Sequence, residues 1–90
     1  MMIYTYSSEK NLKLMEERDI GFDEVIAAIE NGQVLDILEN HQREKYRNQR
    51  VFVISVKDYV YLVPYVEDDE GNVFLKTIIP SRKAKKQYGG

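Results

Sequence analysis

The chain predicts an α+β fold in which two N-terminal helices pack on one face of a small antiparallel sheet. Apolar residues recur at helical spacing in the first third, and from Arg50 onwards at every second position in runs broken by turn-forming residues. Size adds a bound: 90 residues with 43% hydrophobic content suffice for one modest core, so residues 1–90 are read as a single domain.

A short strand is expected over residues 2–6. Ser7-Ser8-Glu9 then supplies a helix N-cap and an early acid, opening a first helix that runs to about Arg18. The second helix starts at Gly21, with Asp23 and Glu24 in its first turn and Phe22, Val25, Ile26 and Ile29 forming one apolar stripe. Asn31-Gly32 stops it, because either residue tolerates the left-handed conformation that ends a helix. Residues 34–38 make a short strand.

Three successive antiparallel strands follow: RVFVISV, a Lys57-Asp58 turn, YVYLVPYV, the polar loop EDDEGN, and VFLKTII. A turn at Lys57-Asp58 sets Val56 opposite Tyr59, Ile54 opposite Tyr61 and Phe52 opposite Val63. One face then carries Phe52, Ile54, Tyr59, Tyr61, Val63 and Tyr65, the other Val51, Val53, Val60, Leu62 and Val66. The aliphatic face is the better match to the helical stripe. That leaves Tyr59, Tyr61 and Tyr65 as a candidate partner-binding surface, with cross-strand aromatic pairing inside the monomer as the plainer reading.

The formal charge is -2, so no basic field covers the whole protein. Charge is segregated nonetheless: residues 9–40 hold nine acids and three bases, and residues 41–50 hold four bases and one acid. The apolar run 74–79 passes through Pro80 into Arg82, Lys83, Lys85 and Lys86, four cations anchored at a strand's end. Anchored cations lose less entropy on gripping phosphate than cations on a free tail. With Arg43, Lys45, Arg47 and Lys76 they form the candidate RNA-binding set; ordinary solvated surface charge is the bland alternative.

Cysteine is absent, which excludes disulfides and thiolate chemistry. No long uncharged apolar run or signal-peptide pattern appears, so the expected location is the cytoplasm, with no membrane contact. Glu67-Asp68-Asp69-Glu70 lacks calcium-loop spacing and reads as a solvated hairpin loop. No metal or cofactor motif is present, and none is expected to be needed.

KNLKLMEERDIGFDEV near the N-terminus and KTIIPSRKAKKQY at the C-terminus, joined by a central hairpin, resemble BrnT-type toxins, small ribonucleases of bacterial type II toxin-antitoxin modules with a RelE-like fold. The resemblance covers nearly the whole chain and extends to related domains of unknown function. Its most specific parts are the isoleucine pair followed by Ser81-Arg82-Lys83-Ala84, and the Asn11, Gly21, Phe22 pattern. It implies a domain that cleaves RNA, free or ribosome-associated, to arrest translation. It also implies a tightly bound cognate antitoxin, often of the ribbon-helix-helix class, through which alone DNA would be contacted. Arg82, Lys83 and Arg50 match basic positions of the family's motifs. The chain departs from the pattern at Thr77, at Pro80 and just before Arg50, which motivates the alternative of a catalytically inactive RelE-like protein- or RNA-binding module.

Metal-free RNA cleavage needs a base for the 2′-hydroxyl, positive charge for the phosphorane and an acid for the leaving oxygen. Arg82 and Arg50 suit the second task, because a guanidinium stays charged and grips two phosphate oxygens, and the two are expected to converge. His41 and Glu44 are the candidate bases, although a lone histidine in a polar segment is commonly just solvated. Tyr88 is a further proton donor or stacking ring, unless the chain end frays.

Overall fold

In the computed structural model, which describes residues 3–39 and 49–88, three helices flank a mixed sheet. The elements are β1 (Tyr4–Thr5), α1 (Ser8–Arg18), α2 (Phe22–Glu30), β2 (Val34–Glu39), β3 (Gln49–Val56), β4 (Tyr59–Glu67), β5 (Val73–Leu75), β6 (Ile79–Pro80) and α3 (Arg82–Tyr88). The strand order is β1-β5-β4-β3-β2, with β6 also beside β4. β1 runs parallel to β5, so the sheet is not the purely antiparallel one that hairpin spacing alone suggests. Among the described residues no helix is long and apolar enough to cross a membrane.

The helices start where their caps dictate. The Ser7 hydroxyl accepts from the Lys10 backbone N–H at 3.2 Å and opens α1. Gly21, at the N-cap of α2, has no side chain to do the same, and Asn11 takes over from one helix away: its Oδ1 accepts the Phe22 N–H at 2.8 Å. This close approach favours glycine. A Cβ at Gly21 would lie 3.0 Å from Asn11 Oδ1 and 3.1 Å from Met15 Cγ. Asn11, Gly21 and Phe22 are thus one joint between α1 and α2, which is why they form a legible pattern in the sequence.

The hairpin register follows the turn. Val56 pairs Tyr59, Ile54 pairs Tyr61 and Phe52 pairs Val63, as alternation predicts. Lys57 and Asp58 take φ of 52° and 62°, the left-handed pair that matches strand twist in a two-residue hairpin. Face selection is the reverse of expectation. α1 and α2 pack on the aromatic face, where Leu14, Ile20, Phe22, Val25 and Ala28 meet Phe52, Ile54, Val63 and Tyr65. Tyr65 stacks on Phe52 at 4.0 Å and is 2% exposed, so it offers no partner surface; Tyr59 and Tyr61 are half-buried and meet edge to face at 5.6 Å. Aromatic rings bury more area per residue than the aliphatic side chains opposite, which favours closing the larger core on that face.

The aliphatic face is covered in part by α3, an element that apolar periodicity does not reveal. Val53 and Val60 form a second core with Ala84, flanked by Leu62 and Tyr88. The run 74–79 is also not one strand. Leu75 stands opposite Tyr65 and Pro80 opposite Tyr61, so five steps on one chain face four on the other, and the extra residue is a β-bulge. The bulge lets Leu75 and Ile78 both turn into the larger core, each fully buried. It also explains Pro64 within a central strand. Its carbonyl accepts the Lys76 N–H at 2.8 Å, so its missing donor falls on the same side, where the ladder is interrupted.

Candidate nucleic-acid interface

α3 is fixed at both ends. Ser81 donates its backbone N–H to Val60 O at 3.1 Å, and its hydroxyl accepts the Ala84 N–H at 3.1 Å, capping the helix. At the far end the Tyr88 hydroxyl donates to Asp36 Oδ2 on β2 at 2.7 Å. The hydrogen bond to Asp36 is the main cause that raises the Tyr88 pKa above its ordinary value of 10.0. The phenol therefore stays protonated at neutral pH.

Between α3 and the sheet lies a cleft of about 280 Å³. Leu38, Val53 and Leu62 line its sheet side, and Lys83, Ala84, Gln87 and Tyr88 line the helix side with Ser81. Arg82 and Lys86 are exposed on α3 outside this lining, and Lys85 is half-buried. Beyond the cleft the same face continues through Val51, Pro64, Val66 and Phe74, which is 42% exposed. Lys76 stands at its margin, donating from Nζ to Gln49 Oε1 at 3.0 Å.

Charge divides across the sheet. Residues 8–30, spanning α1 and α2, hold seven acids and three bases, whereas α3 holds four bases and no acid. The basic helix borders the half-open aliphatic face; the acidic helices close the other.

Arg50 and Arg82 do not converge. Arg50 shares the α1/α2 face with its register partner Tyr65. Burial is the main cause raising the Tyr65 pKa, and Arg50 opposes it. Arg82 follows Ser81, which is bonded to Val60, five residues from Tyr65 along β4 or about 16 Å of strand, and on the opposite face. The expectation failed because α3 folds back over the aliphatic face, whereas strand alternation sends Arg50 to the aromatic one. His41, Arg43, Glu44, Lys45 and Arg47 lie outside the described residues.

Sequence reasoning missed Leu38, Gln87 and Asp36. Ser81 followed by RKAKKQY is the signal that was there to read: a capping residue, good helix formers and one small residue to seat against the sheet. The acidic loop is organised by its own carboxylate. Asp68 accepts from the Glu70 and Asn72 backbone N–H groups, each at 2.9 Å, and from the Asn72 amide at 3.1 Å.

A family model described as a domain of unknown function, DUF4258, matches residues 8–80. No curated protein and no solved structure matches the chain.

Proposed function

The chain belongs to the DUF4258 family, and on that premise we propose that it is the toxin of a bacterial type II toxin-antitoxin module, a metal-independent endoribonuclease that acts in the cytoplasm. The observation that carries the reading is the basic helix α3 bordering an apolar cleft on a half-open sheet face, opposite an acidic helical layer. Phosphates favour such a face and are repelled by the other. The resemblance to BrnT-type toxins and their RelE-like fold supports the same reading.

In this account Lys83 and Arg82 stabilise the phosphorane that forms as the 2′-oxygen attacks phosphorus. Asp36 takes the 2′-hydroxyl proton, and Tyr88, already donating toward that carboxylate, supplies a proton to the departing 5′-oxygen. The products are a 2′,3′-cyclic phosphate and a 5′-hydroxyl, and in this route side chains supply the base, the acid and the positive charge. A cognate antitoxin, of the ribbon-helix-helix class in the resemblance, neutralises the toxin.

Labelled RNA incubated with the purified, partner-free protein in EDTA tests this. Cleavage is expected, and it is expected to be lost in the Arg82→Ala/Lys83→Ala double variant. The second reading, a binding module without catalysis, draws on the separation of Arg50 from Arg82, which removes the clamp expected of that pair. A folded protein that binds RNA but cleaves none, free or on ribosomes, establishes that reading instead.

A further inference from the structure

We propose that the cleft between α3 and the sheet is a nucleobase pocket, which takes one unpaired base of single-stranded RNA while the neighbouring phosphates lie on Lys83 and the outer cations of α3. The proposal rests on the RNA reading above and adds what the face selects: unpaired strands, engaged through a base.

A surface that binds phosphate alone needs donors and gains nothing from a recess with apolar walls. Here the recess has aliphatic walls in Leu38, Val53 and Leu62, and polar groups only along α3. That division matches a base, whose faces are apolar and whose edges carry donors and acceptors. Leu38, 38% exposed on β2, presents its side chain as part of the apolar wall. Ala84 keeps the space open, since it is the one α3 residue seated fully on the sheet and any longer side chain there would fill the gap.

The pocket is also preformed. The Ser81 and Tyr88 contacts tie α3 to the sheet at both ends, with the cleft open between them. On the rim, Lys83 offers charge and donors, and the Gln87 amide both donors and an acceptor. A duplex keeps its bases stacked and has none to insert.

The test compares binding of a dye-labelled short oligouridylate with that of an abasic strand of the same length and charge, by fluorescence anisotropy in EDTA. The base-bearing strand is expected to bind roughly tenfold tighter. Leu38→Asn, and independently Gln87→Phe, which fills the cleft from an exposed helix position, should bring that ratio towards one, whereas Leu12→Asn on α1 leaves it unchanged. Lys83→Ala should weaken both strands together. Equal binding of the two strands by the unaltered protein overturns the pocket and leaves the RNA reading intact. Failure to bind either strand overturns the RNA reading itself. An oligoglutamate peptide that displaces the oligouridylate and depends on Leu38 also overturns the proposal, assigning the cleft to an acidic protein segment.

Discussion

Replacing Asn11 with alanine removes the acceptor that the Phe22 N–H meets at 2.8 Å, at the start of a helix whose own N-cap is a glycine. Phe22 is fully buried, so water cannot readily take the place of Oδ1. Losing a helix cap costs about 1 kcal/mol, and leaving a shielded donor unpaired about 1–3 kcal/mol. Both figures describe the same lost bond, which sets the expected destabilisation at about 1.5 kcal/mol, or roughly 6–12 °C in Tm for a domain of this size. Gly21→Ala perturbs the same joint from the other side, placing a Cβ 3.0 Å from Oδ1 and 3.1 Å from Met15 Cγ. Because Asn11→Ala removes one of the two clashing groups, the double variant should lose less than the sum of the single losses, by about 0.5–1 kcal/mol. Urea denaturation of the four proteins measures the cycle. Additivity within about 0.3 kcal/mol, or an Asn11→Ala loss smaller than that, would refute the joint.

At the Lys57-Asp58 turn, Asp58→Gly relieves a left-handed residue at φ 62° and should stabilise the protein by about 0.5 kcal/mol, read from the urea midpoint. Asp68, whose carboxylate accepts from the backbone N–H and side-chain amide of Asn72 and from the Glu70 backbone N–H, has its pKa lowered from 3.8 by these bonds, those from Asn72 foremost. A depressed folded-state pKa means its contribution is present above the ordinary carboxylate value and lost as pH falls through the folded one, so the midpoint of its carboxyl titration by NMR should lie below 3.8. Tyr88→Phe removes the bond to Asp36 and should speed hydrogen exchange across α3 while leaving β3 and β4 protected.

How much was legible in the sequence differs from element to element. The Lys57-Asp58 turn fixed the hairpin register, because a two-residue loop between alternating runs permits few pairings. It did not fix which face the helices cover: both faces of β3 and β4 are apolar, and alternation separates them without ranking them. α3 has one buried residue in seven, too few for a helical period to show. The bulge is hidden inside VFLKTII, where an unbroken apolar run conceals the change of face between Leu75 and Ile78. The cleft depends on all three. Its cations were readable as a cluster, but its apolar walls come from β2, β3 and β4, which are brought under α3 only by the fold.

The central claim is that nucleic acid binds the face under α3 and avoids the face under α1 and α2. Amide NMR spectra recorded while a short oligouridylate is added test it most directly. The account predicts shifts at Leu38, Val53 and Leu62 and through Lys83, Ala84, Gln87 and Tyr88, with Leu12, Met15 and Asp23 unmoved. Shifts concentrated on α1 and α2, or none at saturating RNA, would contradict it.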